Sequence, residues 1–293
     1  MVKQNSTKAW LLASRPKTLT AASIPVMLGC ALAFMYGHFQ LIPAILCFLF
    51  AFLMQIDANF INDLYDYLKG SDREDRLGPE RACAQGWISP SGMKKGILVT
   101  TALAAVTGLF LLGYGGWEMI PVGIACIIFA FLYTTGPYPL AYHGWGDILV
   151  LVFFGFVPVG CTFYVMAHDW NTSVTMASLA CGFVIDTLLM VNNFRDREQD
   201  AISGKKTIVV RLGARAGLIL YFLLGLAACW SCFYFVTEGR LWAAILPQIY
   251  LLFHILTTAR INRGKELNAI LGETSRNMLL FGILLTAGLL IPA

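Results

Sequence analysis

Nine runs of mostly apolar residues constrain this chain more than any other feature. They cover roughly 19–37, 41–61, 96–114, 118–135, 146–167, 173–193, 215–236, 241–259 and 276–292. A helix needs about 20 such residues to cross the hydrocarbon core of a bilayer, and most of the runs have that length. They are continuous rather than alternating, which selects helices over the strands of a transmembrane barrel. The expected fold is all-α: a polytopic membrane protein of nine transmembrane helices, one domain over 1–293. Only 13% of residues are charged, against about one-quarter in an average soluble domain. That excludes disorder, a nucleic-acid-binding domain and an ordinary soluble enzyme. The expected surroundings are the lipid bilayer, with no nucleic acid as partner. Pro158, between Gly155 and Gly160, is expected to kink the fifth helix.

The basic residues sort by side. Of the 21 Lys and Arg, all but Arg240 fall in the N-terminal segment or in the loops after the second, sixth and eighth runs. The positive-inside rule makes that side cytoplasmic, so the N-terminus is expected in the cytoplasm and the C-terminus outside. Lys3, Lys8, Arg15 and Lys17 before an apolar run holding Ala31-x-Ala33 look like a secretory signal. Eight further runs favour a retained first helix instead. Of the 8 cysteines, only Cys83 lies in a polar stretch, and no metal-ligand spacing links them. Cys229-x-x-Cys232 lies within an apolar helix and reads as packing, like the rest.

Ten of the 17 acids gather in two stretches on the basic side. The first runs through Asn62-Asp63-Leu64-Tyr65-Asp66 to Asp72, Glu74, Asp75 and Glu80, with Asp57 ahead of it. The second reads Asn192-Asn193-Phe194-Arg195-Asp196-Arg197-Glu198-Gln199-Asp200. Asn62-Asp63-x-x-Asp66 aligns with Asn192-Asn193-x-x-Asp196, and an Arg-Leu-Gly follows each, at Arg76–Gly78 and Arg211–Gly213. The copies begin four spans apart, which suggests a parallel internal duplication starting near spans 2 and 6. On a helix, Asn62 and Asp66, Asp63 and Asp66, and Asp196 and Asp200 share faces. Clustered carboxylates repel one another, and a divalent cation removes that cost. Oxygen ligands with no His or Cys nearby favour Mg²⁺ over zinc. Two such clusters facing each other could hold a diphosphate through Mg²⁺. A solvated charged loop is the plainer reading of either cluster alone; two related clusters at equivalent helix ends argue against it.

At these residues the sequence resembles the UbiA superfamily of intramembrane aromatic prenyltransferases, over almost the whole chain. The NDxxDxxxD motif of that family is matched by Asn62, Asp63 and Asp66. Gly70 stands at its last position, and the next acid is Asp72. Its DxxxD motif is matched by Asp196 and Asp200. Ala13-Ser14-Arg15-Pro16-Lys17-Thr18-Leu19, Lys69-Gly70-Ser71-Asp72, Tyr133-Thr134-x-Gly136-Pro137 and Gly146-Asp147 are similar to the branch acting on 1,4-dihydroxy-2-naphthoate. Some relatives carry a Lys shortly after a Tyr where this chain has Tyr138, so no diphosphate-binding lysine is assigned there.

The resemblance implies transfer of a prenyl chain from a polyprenyl diphosphate to an aromatic acceptor, dihydroxynaphthoate, with loss of CO₂ and Mg²⁺ as cofactor, giving demethylmenaquinone. It implies a bacterial plasma membrane with the active site at the cytoplasmic side. Metal ligands are then expected among Asn62, Asp63, Asp66, Asp72, Asp196 and Asp200. Catalytic roles are expected for Asn62, Asp66, Tyr133, Asn192 and Asp196, and substrate binding for Tyr65, Arg76, Arg81, Asn193, Lys205 and Lys206. Tyr65, Tyr133 and Phe194 are candidates to stabilise an allylic cation. Asp57 and Asp186 lie deeper, as proton acceptors or hydrogen-bonded packing residues. Two alternatives stand beside this reading: a superfamily member with another acceptor (4-hydroxybenzoate, homogentisate, haem, chlorophyllide or a glycerol phosphate), and a membrane transporter.

Overall fold

A computed structural model describes residues 2–71, 77–261 and 266–292, and among them the regular structure is entirely helical. The chain enters through α1 (Thr7–Ser14), whose cap Ser6 accepts a hydrogen bond from the Ala9 amide. It turns at Arg15, held at φ +50°, and continues into α2 (Leu19–Met35). Then follow α3 (Leu41–Leu68), α4 (Pro90–Gly115), α5 (Met119–Thr134), α6 (Gly146–Val150), α7 (Cys161–Ala167) and α8 (Thr172–Ile202). The chain ends with α9 (Ile208–Leu212), α10 (Ala214–Cys232), α11 (Leu241–Ile245), α12 (Gln248–Ala259) and α13 (Leu267–Leu290).

Seven helical segments are long and apolar enough to cross a membrane: Thr7–Met35, Leu41–Leu68, Pro90–Gly115, Gly146–Ala167, Thr172–Ile202, Ala214–Val236 and Leu241–Ala259. The other two expected runs are helical but fall short of that standard. α5 has only 16 residues. α13 has 24, yet Glu273, Arg276 and Asn277 occupy its first half and leave a continuous apolar run only from Met278. The eighth run is interrupted between α11 and α12, where Pro247 cannot extend a helix.

α8 packs against α10, α13 and the winding between α6 and α7. It lies in a core that includes Ile24, Leu28 and Leu32 of α2, Val184 of α8, and Phe281 of α13. The kink expected at Pro158 takes the form of ten π-wound residues, Leu151–Gly160. A π winding shifts the hydrogen-bond pattern and so accommodates a residue without an N–H. Glycines let this stretch lie directly on α8. A Cβ added at Gly155 would stand 2.6 Å from the Ser178 carbonyl oxygen, and one at Gly182 would stand 3.1 Å from the Leu151 Cα. Gly155→Leu should therefore separate the two helices and cost at least about 3 kcal/mol, the upper range for overpacking, because backbone is struck rather than a movable side chain. Thermal unfolding in detergent checks this; an unshifted midpoint would refute the contact.

α3 and α8 both extend beyond their apolar runs, to Leu68 and Ile202. Those last turns carry the acidic clusters. Asp57 belongs to the helix interface. It is fully buried, accepts from the Thr101 hydroxyl at 2.8 Å and also accepts from the Thr100 hydroxyl, tying α3 to α4. Asn59 is oriented by the entering segment, donating to the Ser14 carbonyl at 3.0 Å and to Thr18 Oγ1 at 2.9 Å.

Candidate active site

The ends of α3 and α8 face one another across a polar cavity of about 240 Å³. Asn62, Asp66, Arg81, Tyr133, Asn192, Asn193, Asp196, Asp200 and Lys205 all line it. The two clusters predicted from sequence are thus one site. Tyr65 and Lys206 stand outside its lining. Tyr65 packs beside Ile61, Leu64 and Ile88, and exposed Lys206 contributes its backbone amide to the Tyr142 carbonyl at 2.8 Å. Phe194 is 8% exposed, packed near α9 and α10, with the Arg197 guanidinium 4.8 Å above its ring. Asp72 and Arg76 lie outside the described residues.

Each acid has a distinct setting. Asp63, 1% exposed, accepts the backbone amides of Ala82 and Cys83, both at 2.8 Å. It clamps the loop that presents Arg81. Asp66 receives Arg81 at 3.2 Å and the Tyr142 hydroxyl at 3.3 Å, with Lys205 at 4.0 Å. Asp196 takes a two-point contact from Arg195, at 2.7 and 2.6 Å. The same guanidinium, buried in α8, donates to Asn192 at 2.7 Å and to Asn268 of α13 at 3.0 Å. Asp200 lies 3.8 Å from Lys205. Lys205 reaches both clusters because Gly204, at φ +77°, turns the chain sharply after α8.

Sequence reasoning left Tyr142, Arg195, Lys69 and Thr134 without roles. Tyr142, on the short helical turn Leu140–His143, is hydrogen-bonded to Ser71 at 2.8 Å. Lys69 and Lys205 lie 4.5 and 5.0 Å from its ring centre. Burial, and then the charge of Asp66, push its phenol up from the usual value; it is therefore a protonated donor at neutral pH. Burial pushes Lys69 down, with Asp66 opposing the shift. Thr134 donates to Asn62 Oδ1 and accepts from Lys69 through its carbonyl. The signal for Arg195 was its place between Asn192 and Asp196; Tyr142 lies in a stretch with no periodic pattern. Asp147 also lines the cavity, and its Oδ1 is buried without a hydrogen-bond partner, as is that of Asp186, 6% exposed in α8.

The polar cavity opens into an apolar chamber of about 960 Å³ between the helices. Thr18, Asn62, Pro79, Tyr133, Leu189, Asn192 and Leu271 line both spaces and form the neck between them. Among the described residues, no group of three or more Asp, Glu, His or Cys is arranged to hold a metal ion by itself. The donor set does fit Mg²⁺ bound in its open mode. That ion keeps several waters and takes one or two carboxylates plus substrate phosphates. Carboxylate and amide oxygens flank the cavity, and basic groups beside them match a phosphate.

Comparison with known proteins gives the same reading. The model of the UbiA prenyltransferase family matches residues 22–289. The chain is 36% identical to 1,4-dihydroxy-2-naphthoate octaprenyltransferase of Haemophilus influenzae, covering 97% of this chain and 96% of that one. It is 37% identical to the Escherichia coli enzyme of the same name, over 80% and 79%. Among solved structures, a UbiA homolog from Archaeoglobus fulgidus bound to GPP and Mg²⁺ superposes with a TM-score of 0.70. Its identity is 18%, and the match covers 97% of this chain and 100% of that one. With seven helical segments able to span a bilayer, this is an integral membrane protein, and the chain belongs to the UbiA prenyltransferase family.

Proposed function

We propose that this protein transfers a polyprenyl chain from its diphosphate to 1,4-dihydroxy-2-naphthoate, with decarboxylation. The observation that carries this is the polar cavity adjoining a large apolar chamber across a shared set of lining residues. A prenyl diphosphate has that division of character: its headgroup fits the charged end and its tail the apolar one. The acceptor is taken from the relatives' names.

Asn62, Asp66, Asn192, Asp196 and Asp200 would hold Mg²⁺, which, when bound, supplies Lewis-acid neutralisation of the diphosphate. Arg81 and Lys205 add charge-assisted hydrogen bonds to the phosphate oxygens. Arg195 fixes Asn192 and Asp196 in place, and Asp63 fixes the loop of Arg81. The allylic C–O bond breaks at the neck, with the electron pair leaving on the diphosphate. The Tyr133 ring is placed there to face the cation, and the apolar chamber keeps water away from it. A ring carbon of the acceptor attacks and loses its proton. The carboxylate departs as CO₂, and a proton takes its place. Asp147, with a free carboxyl oxygen beside the cavity, takes the proton-accepting role expected of Asp57 or Asp186: the oxygens of Asp57 are already bonded, and Asp186 is outside the cavity lining. The one-sided distribution of Lys and Arg supports a cytoplasmic position for this end of the molecule, with α5 and α13 crossing beside the seven longer spans.

Purified protein incubated with Mg²⁺, octaprenyl diphosphate and a panel of aromatic acceptors should prenylate dihydroxynaphthoate and release CO₂. Prenylation of 4-hydroxybenzoate or homogentisate in its place would reassign the acceptor, and no product with any acceptor would sink the proposal. Tyr142→Phe removes the hydroxyl that donates to Asp66 and is hydrogen-bonded to Ser71. It should lower kcat/KM about tenfold, the equivalent of one hydrogen bond at a charged group. Unchanged kinetics would remove Tyr142 from the site.

A further inference from the structure

One position in the wall of the apolar chamber carries no side chain. Met119, Gly123, Cys126, Ala130 and Tyr133 of α5 recur at three- and four-residue spacing and all line the chamber. The opposite stripe, Ile120, Ile124 and Ile128, is 37%, 52% and 48% exposed and faces outward. Gly123 sits in the middle of the inner stripe. A Cβ added there would meet no atom within 4 Å. Close helix packing, the reason for Gly155 and Gly182, is therefore not its purpose. Its backbone is also not in the left-handed region, the other usual reason for glycine. Glycine is unfavourable inside a helix, so what it provides here is space in the chamber.

The distance along α5 says what that space admits. Tyr133 stands at the neck, and Gly123 lies ten residues back, about 15 Å away at 1.5 Å per residue. An extended carbon chain advances about 1.2 Å per bond, so a geranyl chain anchored at the neck ends after roughly 9 Å. An octaprenyl chain is several times longer, and one that runs along α5 passes Gly123. Eight residues before Gly123, at the end of α4, the packing is tight: a Cβ on Gly115 would stand 2.7 Å from both Met119 and Val165.

We propose that Gly123 determines donor length: the missing side chain leaves a passage for prenyl chains too long to end between Tyr133 and Gly123. This rests on the prenyl-transfer reading above. The test is Gly123→Phe in the full-length protein, assayed in vesicles with Mg²⁺, dihydroxynaphthoate and either geranyl or octaprenyl diphosphate. The ratio of kcat/KM for geranyl over octaprenyl should rise about 10- to 100-fold, the range expected from overpacking a filled site. Gly123→Ala should give an intermediate ratio. Ile124→Phe, on the outward stripe, should leave the ratio as it is. An unchanged ratio in Gly123→Phe, whether both donors fail together or neither does, overturns the proposal. Unaltered protein that prenylates nothing with either donor overturns the underlying function instead.

Discussion

Asp66→Asn and Asp196→Asn are each expected to lower turnover about 100- to 1,000-fold, the scale of removing one preorganised group from a site where charge develops. Asparagine is the informative replacement. Arg195 is buried, and its two-point contact is with Asp196. Alanine at 196 would leave that guanidinium with neither the charge nor an acceptor oxygen, at a cost of about 3–5 kcal/mol, confusing lost folding with lost chemistry. Arg81, 7% exposed, stands in the same relation to Asp66. Asparagine keeps an acceptor oxygen and shape while removing the charge. A Mg²⁺ titration supplies the second readout, because a group that only braces the fold leaves the metal requirement where it was. Both variants should need more Mg²⁺ for half-maximal rate. The double variant should be little worse than either single one, since residues acting on one leaving group are not additive. Turnover and Mg²⁺ dependence like those of the unaltered chain in both variants would remove the two carboxylates from the chemistry.

Much of this arrangement can be read from local pattern. Long apolar runs announce helices. The i, i+4 spacing of Asn62 with Asp66 and of Asp196 with Asp200 puts them on common faces, and the structure joins both faces around one cavity. The bonds made at span ends were less legible. α5 stops after 16 residues at Thr134, whose hydroxyl and carbonyl bond Asn62 and Lys69. Those partners are 72 and 65 residues away, beyond the reach of any hydropathy window. The individual acids were also read too uniformly. Asp57, Asp63 and Asp66 share one helix and one charge, yet one binds threonine hydroxyls, one binds backbone amides and one faces the cavity. Their differences come from α4, from the loop before it and from the turn at Tyr142, which sequence spacing does not relate to α3. Tyr65 and Lys206 show the same limit: a neighbour of a site residue along the chain can point away from the site.

Asp63→Ala is expected to separate the two meanings of an acid in the first motif. Its carboxylate accepts from the Ala82 and Cys83 amides at 2.8 Å each, with Arg15 4.0 Å away. A hydrogen bond to a charged group contributes about 1.5–3 kcal/mol. Two are lost at a buried position, so stability should fall by about 3–5 kcal/mol, in the range of breaking a buried polar network. Activity should fall as well, through a different parameter from that of Asp66→Asn. Arg81 adjoins Ala82, so freeing the loop moves the guanidinium away from Asp66 and from the phosphate. KM for the prenyl diphosphate should then rise while the Mg²⁺ requirement stays where it was. Asp63→Asn, which keeps one acceptor oxygen, should recover part of both losses. Should Asp63→Ala instead raise the Mg²⁺ requirement and leave thermal stability untouched, Asp63 would be a ligand and the loop would be held by other contacts. Asn193 stands at the equivalent place in the second motif and is 7% exposed. An amide there suits a site where charge is already supplied by Asp196 and Asp200, while the acid at 63 suits one where two backbone amides wait to be bound.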